Sequence, residues 1–182
     1  MKAKTLDKNS ITDALLVNYG IFKAEDLASE IIRQNKLSDL LDLAFSSDMR
    51  LSNRAMWIVC HCNDISPEKV KPFYARLIEF LKKDNIHTGA IRSIIRIFSM
   101  QDAPEKYQSF LLDKSYSYIA NYKMPIAVRV FSISVIYKLS LKYPELLNEL
   151  KSTLMSLDIS NESPGMRSRI KHTLKDIEKH LK

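Results

Sequence analysis

The sequence predicts an all-α protein: a right-handed α-α superhelix of about four stacked helical pairs behind an N-terminal helical cap. Only three glycines and six prolines occur in 182 residues. Long apolar segments therefore contain no breaker, which favours helices over a sheet that would need many turns. A phrase with an arginine near the start of an apolar helix also returns four times. Such internal repetition is typical of arrays in which each unit buries its neighbour's apolar face.

Two helices are predicted ahead of the repeats, and we interpret residues 1–35 as an N-terminal helical cap. Residues 10–20 form the first helix and end at Gly20, while residues 24–34 form the second. The apolar stripes of the two helices are Ile11, Ala14, Leu15 and Tyr19, and Leu27, Ala28, Ile31 and Ile32. Whether the cap stacks as a true repeat or lies across the end of the array stays open.

Four repeats are predicted over residues 36–182, and residues 1–182 are predicted to form a single domain. The paired helices are 36–46 and 51–62, 66–83 and 88–100, 104–120 and 125–142, and 144–157 and 164–181. An arginine opens each second helix at intervals of 38, 37 and 38 residues, namely Arg54, Arg92, Arg129 and Arg167. A polar turn residue precedes each arginine: Asp48, Asp84, Asn121 and Asp158.

The helix breakers support this division. Every proline except Pro72 falls at or just before a predicted helix start, where a missing backbone N–H costs nothing. Ser66 and Ser163 precede two of these prolines and are predicted N-caps. Prolines, caps and apolar periodicity thus agree on the same helices, and agreement between levels supports the prediction.

One phrase of the first repeat resembles a known family. The segment LSDLLDLAFSSD, followed by Arg54, is similar to a HEAT repeat, in which a turn aspartate such as Asp48 precedes an arginine of the second helix. The chain from about residue 37 to 182 also looks like a group of short bacterial HEAT-like proteins of unassigned function. The resemblance implies an armadillo-type fold whose second helices line a concave surface.

Charge and hydropathy bear on the possible partners and location of the protein. The net charge is +7; residues 1–91 carry 13 basic and 12 acidic side chains, and residues 92–182 carry 15 and 9. The basic half fits either a solvated surface or an acidic partner, with nucleic acid as one option. No apolar run approaches the roughly 18 residues of a membrane span. The sequence therefore predicts no contact with a membrane. Cys60 and Cys62 point to different sides of one helix and cannot easily pair with each other, so we predict a reducing, cytoplasmic location.

The predicted partner-binding residues come from aligning the second helices on their arginines. Positions one, four, five and eight after each arginine share one side of the helix. The stripe is apolar at its N-terminal end and basic at its C-terminal end, which suits a peptide or helix with an acidic end. The residues chosen from it are Ile58, Arg96, Ile97, Met100, Ile133, Tyr137, Lys171 and Lys175. The alternative is that part of this stripe packs against neighbouring helices.

The arginines themselves have two interpretations. They can form a phosphate-binding row, or each can pair with the turn aspartate or asparagine of its own or the next repeat. We predict the second, structural role for Arg54, Arg92, Arg129 and Arg167, because the planar guanidinium donates to carboxylates and carbonyls together.

No pattern of residues predicts an enzyme. A glycine-rich phosphate loop and a serine–histidine–acid phrase are both missing from the sequence. Adjacent helical residues such as Cys60, His61 and Cys62 cannot converge on one zinc ion, so we predict no metal and no cofactor. DNA glycosylases with a HEAT-like fold have a tryptophan, an aspartate four residues on and an arginine one repeat later. Trp57 and Arg96 match this pattern, but His61 occupies the place of the aspartate.

The sequence therefore predicts a non-catalytic binding or scaffold module that recognises a protein or peptide segment on the concave face. The alternative is a DNA-binding protein related in fold to the HEAT-like glycosylases but without the catalytic aspartate. The identity of the partner and the oligomeric state stay open.

Overall fold

Residues 5–16 and 21–181 are described by the computed structural model, except for the side chains of Ile21 and Phe22. Every regular element within these ranges is helical, so the all-α prediction is confirmed. The predicted roles of Tyr19 and Gly20 lie outside the described residues. Within the same ranges, no helix is both long and apolar enough to pass through a bilayer.

Eleven α-helices follow one another in the described part of the chain. They are α1 (Lys8–Leu16), α2 (Ile21–Arg33), α3 (Leu37–Ala44), α4 (Met49–Ile65), α5 (Pro67–Val70), α6 (Tyr74–Phe80), α7 (Thr88–Met100), α8 (Gln108–Ala120), α9 (Ile126–Lys142), α10 (Leu146–Ser156) and α11 (Pro164–His180). Short 3-10 turns precede α6 (Lys71–Phe73) and α8 (Glu105–Tyr107). Most of the predicted helices correspond to these with shifts at their ends; the helix predicted over residues 66–83 does not.

Contacts divide the chain into two compact units, Met1–Ile97 and Phe98–Lys182, with the boundary inside α7. Each unit is described by itself below. The single domain and the right-handed superhelical path stay predictions.

In the first unit, α4 packs against α2 and α3. Asp48 begins α4 as its N-cap, because its carboxylate accepts hydrogen bonds from the backbone N–H groups of Arg50 (2.9 Å) and Leu51 (3.0 Å). The core of this unit is made of fully buried aliphatic side chains from α1 to α7. Its largest members include Ile11, Leu15, Ile31, Leu40, Leu41, Met56, Ile58, Leu77, Ile78 and Ile94.

The predicted single helix over residues 66–83 is wrong, because the chain changes helix type in its middle. Pro72 lies in the 3-10 turn between α5 and α6, and a proline inside an α-helix removes one backbone hydrogen bond and clashes with the preceding turn. Ser66 stands at the N-cap position of α5, but its hydroxyl bonds to the Glu68 carboxylate rather than to a backbone N–H.

In the second unit, α9 packs against α8, α10 and α11. Ser163 begins α11 as predicted, with its Oγ accepting a hydrogen bond of 3.2 Å from the backbone N–H of Met166. The core gathers one apolar stripe from each of these helices. Its buried members are Ile119, Ile133, Ile136, Leu147, Leu150, Leu154, Met166, Ile170 and Ile177.

Candidate functional site

Three of the eight predicted partner-binding residues are core residues. The side chains of Ile58, Ile97 and Ile133 have no exposed surface. A fully buried side chain offers nothing for a partner to contact, so the prediction is corrected for these three. They pack against their neighbours, which is the alternative that the sequence left open.

The other five predicted residues reach solvent to different extents. Met100 is exposed over 49% of its surface. Lys171 and Lys175 are exposed on α11, while Arg96 and Tyr137 are half-buried. The predicted stripe is therefore accessible at some positions and closed at others.

The four repeat arginines do not share one environment. Arg54 is half-buried and donates a hydrogen bond of 2.7 Å to the backbone carbonyl of Leu15 in α1. Arg129 is 2% exposed. Arg92 and Arg167 are exposed, and their side chains have no hydrogen-bond or ion-pair partner among the residues that the structure describes. The predicted structural role thus fits Arg54 and Arg129 and not the other two.

Arg129 is held from three sides in the second unit. Its Nε donates to the backbone carbonyl of Ile119 at 3.1 Å, and its guanidinium carbon lies 4.5 Å from the centre of the Tyr122 ring. Nη2 approaches Oε1 of the buried Glu162 to 2.5 Å, in an orientation that makes the contact an ion pair rather than a hydrogen bond. The carboxylate comes from the loop before α11, so the predicted partners Asn121 and Asp158 are wrong for this arginine.

Arg96 links α7 to α4 in the first unit. Its Nη1 donates to the two carboxylate oxygens of Asp64 at 2.9 and 2.8 Å and to Sγ of Cys60 at 3.0 Å. This ion pair is about one-third exposed on each side chain. A partly exposed ion pair such as this one contributes little to stability, but it orients the guanidinium of Arg96.

Trp57 and His61 lie beside this pair on α4. Their ring centres are 5.2 Å apart in an edge-to-face arrangement, a favourable geometry for aromatic rings. Burial lowers the pKa of His61, although the carboxylates of Asp64 and Glu25 oppose that shift. The imidazole thus replaces the carboxylate of the glycosylase pattern, and the nearby Asp64 is paired with Arg96.

The two cysteines are buried free thiols. Burial raises the pKa of Cys60, although the positive charge of Arg96 acts in the opposite direction. Burial also raises the pKa of Cys62 to about 12. Thiols with raised pKa values are weak nucleophiles. Within residues 5–16 and 21–181, histidine, cysteine and carboxylate side chains form no group of three or more that could hold a metal ion.

One surface of α9 presents mostly apolar residues that are partly exposed, although Val130 and Tyr137 among them also pack against the core of the second unit. We call this surface the α9 face; its members are Ala127, Val130, Phe131, Ser134, Tyr137 and Leu141. Leu141 is 48% exposed and the other five are half-buried. Besides Tyr137, only Ser134 in this set carries a hydroxyl group. That hydroxyl donates to the Val130 carbonyl at 3.3 Å and so is satisfied within the helix.

The buried side of α9 also carries polar residues, while Ser134, Lys138 and Lys142 lie on its partly or fully exposed side. The hydroxyls of Ser132 and Ser140 donate to the carbonyls of Val128 and Ile136, each at 2.8 Å. Together with Arg129, they show that the polar groups of this helix find their partners inside the unit.

A cleft of about 560 Å³ opens beside the C-terminal end of the α9 face. Leu141 forms part of its wall, with Leu111, Val135 and Leu139 among the other apolar lining residues. Lys138 also lines it, bonded to the carbonyl of Gln101 and lying 3.5 Å from the Asp102 carboxylate. Burial lowers the pKa of this lysine, while Asp102 acts in the opposite direction.

Alignment on the arginines placed Val130, Ser134 and Tyr137 in the aligned stripe, which is half of the α9 face. Of its six members, the predicted contact set contained only Tyr137. A signal was nevertheless present, because the α9 segment IAVRVFSISVIYKLSLK has apolar residues at positions that lie all around a helix. A helix that is apolar on every side normally has every side covered.

One comparison with known proteins gives a match. A family model of the HEAT repeat domain matches residues 11–177, which is most of the chain. No curated protein and no solved structure matches it significantly. HEAT repeats generally mediate protein–protein interactions. The helical pairs, their spacing and the extent of this match show that the chain belongs to the HEAT repeat domain family.

Proposed function

We propose that this protein is a non-catalytic binding module that recognises a protein or peptide segment through the α9 face. The observation that carries the proposal is that one side of α9 is mostly apolar and partly exposed, with Leu141 48% exposed at its C-terminal end. The general role of HEAT repeats in protein–protein contacts supports the same conclusion.

The energetic argument starts from the exposed apolar surface. Covering a Val, Leu or Phe side chain fully contributes about 1.5–3 kcal/mol, and the half-buried members of the α9 face contribute a part of this each. Aromatic residues such as Phe131 and Tyr137 are enriched where binding energy concentrates in protein interfaces. A partner that covers the face thus gains hydrophobic energy without breaking any hydrogen bond of α9.

The cleft beside Leu141 provides an anchor point. Interfaces obtain most of their energy from a few side chains that enter well-packed pockets. The cleft has apolar walls and a lysine and an aspartate at its edge, so it suits an apolar side chain of the partner with a polar group beside it.

The surface differs from the set of partner-binding residues that the sequence predicted. Tyr137 is common to both, and Met100 is exposed at the end of α7, outside the α9 face. Arg96 is engaged with Asp64 in the first unit. Ile58, Ile97 and Ile133 are not part of the proposed surface because they are buried.

A selection from a random peptide library tests the proposal while the natural partner is unidentified. Peptides enriched on the immobilised protein are synthesised, and their affinities are measured by calorimetry. We expect Leu141→Asp and Tyr137→Ala to weaken binding at least about tenfold, since each removes apolar contact at the centre or end of the face.

The matched control is Met155→Asp. Met155 is an apolar residue of α10 with 68% of its surface exposed, and it lies outside the α9 face. Circular dichroism confirms that all three variants remain folded. Equal affinity of the selected peptides for Leu141→Asp and Met155→Asp would show that the α9 face is not the binding surface.

A further inference from the structure

The exposed side of α11 carries a row of positive charges. Arg167, Lys171 and Lys175 lie at four-residue intervals, and we call these three residues the basic row. All three are exposed. Four residues of an α-helix rise about 6 Å and turn about 40° beyond one full turn, so the row extends about 12 Å along the helix axis and shifts by about 80° around it.

The charges of the basic row are not neutralised within the described part of the protein. None of its three side chains has an ion-pair or hydrogen-bond partner there. α11 contains two acidic residues. Asp176 bonds to Lys179 at 2.7 Å, and the exposed Glu178, three residues after Lys175, forms no ion pair with the row. The other lysines near α9 also have partners: Lys138 faces Asp102, and Lys142 lies 3.9 Å from Glu105.

Solubility alone does not require this arrangement. The last helix of a repeat array needs a polar outer surface, but mixed charges of both signs satisfy that need. Three neighbouring cations repel one another and are stabilised when an anionic surface lies against them. The row is therefore better explained by a contact than by solvation.

We propose that the basic row is a second interaction surface, which binds an acidic segment of a protein. Carboxylates on successive turns of a helix repeat at about 6 Å, and alternate residues of an extended chain at about 6.6 Å, so either form matches the row. Duplex DNA fits less well, because DNA-binding proteins with strong salt dependence neutralise about 6–10 phosphates, and the row offers three contacts. The proposal does not depend on the α9 face.

A charged peptide provides the probe. A labelled twelve-residue peptide of glutamate and aspartate is titrated with the full chain at low and near-physiological salt, followed by fluorescence anisotropy. A peptide of the same length made of glutamine and asparagine is the neutral control. We expect the acidic peptide to bind and the neutral peptide not to bind, with affinity falling as salt rises because exposed ion pairs are screened.

Two triple variants with the same net charge separate the row from general basicity. Arg167→Gln/Lys171→Gln/Lys175→Gln removes the row, and Arg50→Gln/Lys71→Gln/Lys123→Gln removes three exposed cations elsewhere. We expect the first to weaken peptide binding at least about tenfold and the second to change it less than about twofold. Leu141→Asp should leave this binding unchanged, whatever it does to the α9 face.

Several outcomes would overturn the proposal. No binding of the acidic peptide at low salt would mean that the row is only a solvated end of the helix. Equal losses in the two triple variants would assign the binding to net charge. Tighter binding of a labelled DNA or RNA oligonucleotide than of the peptide, lost in the row variant, would assign the surface to nucleic acid instead.

Discussion

Helices α9 and α11 invite comparison because they have the same length and the same place in their repeats. Each has 17 residues, each is the second helix of its pair, and they pack against each other. The exposed side of α11 is charged, with apolar residues such as Ile170 and Ile177 turned inward. α9 instead exposes apolar residues and buries an arginine. The two helices thus differ in which residue types they leave exposed, although their lengths and places in the repeats are the same.

The largest difference in the effect of a substitution on stability is expected between the repeat arginines of α9 and α11. Arg129→Met leaves the buried Glu162 without its counter-charge, and we expect the free energy of unfolding to fall by about 3–5 kcal/mol. Arg167→Met in α11 changes an exposed side chain and should stay within about 0.5 kcal/mol of wild type. Urea denaturation measures both. Similar small losses for the two variants would contradict the buried ion pair.

The next largest difference in stability effect is expected at the residue four positions after each of these arginines. Ile133 is fully buried in α9, so Ile133→Ala should lower the free energy of unfolding by about 2–5 kcal/mol through lost burial and a cavity. Lys171 occupies the same position in α11 and is exposed, and Lys171→Ala should change stability by less than about 0.5 kcal/mol. Thermal and urea unfolding of both variants check this. A large effect of Lys171→Ala would show that the side chain packs in the folded protein.

A smaller effect concerns how the helices begin. Ser163 caps α11 with its hydroxyl, while Pro125 at the start of α9 makes no side-chain cap. Ser163→Ala should cost about 1 kcal/mol of unfolding free energy, and Ser163→Asn, which keeps an acceptor, should cost much less. Urea titrations of the two variants decide the matter: equal losses would mean that the cap hydrogen bond contributes nothing.

The smallest effect concerns acid titration. α11 contains an ion pair that α9, without acidic residues, cannot form: the hydrogen bond from Lys179 lowers the pKa of Asp176. Because the folded pKa lies below the unfolded one, the contribution of Asp176 to stability is complete above the unfolded pKa. It is lost as the pH falls through the folded pKa. NMR titration should show the Asp176 pKa rising in Lys179→Met, and an unchanged pKa would exclude the lysine as its cause.

Local sequence signals were reliable for the positions of helices and caps. The helix predicted over residues 88–100 agrees with α7 at both ends. Ser163 is the N-cap expected of it, while Asp48, predicted only as a turn residue, caps α4, and Ser66 stands at its predicted position without a cap hydrogen bond. These features depend on a few neighbouring residues, since a cap needs one acceptor and a turn needs one breaker. The helix predicted across Pro72 was wrong, and the cause is again local. A proline ends or distorts a helix, but no helix end was predicted at Pro72.

The sequence could not say which side of each helix would face inward. Alignment on the arginines placed Ile58, Arg96 and Ile133 at equivalent positions, yet the first and last are fully buried and the second reaches solvent. The side-chain partners of Arg96 are Asp64 and Cys60, which lie 32 and 36 residues away in the chain. The carboxylate partner of Arg129, Glu162, lies 33 residues away. Contacts between residues so far apart in the chain depend on how the helices pack against one another, and the spacing of residues in the sequence does not reveal them.

By itself, then, the sequence determined that this chain is a HEAT-type array of helical pairs, because apolar periodicity, prolines and caps act over a few residues. Tertiary structure alone decided which arginine is buried and which apolar side chains remain exposed. The physical reason is clearest in α9. A helix with apolar residues on all sides has no preferred inner side of its own, so only the helices packed against it determine which residues remain exposed.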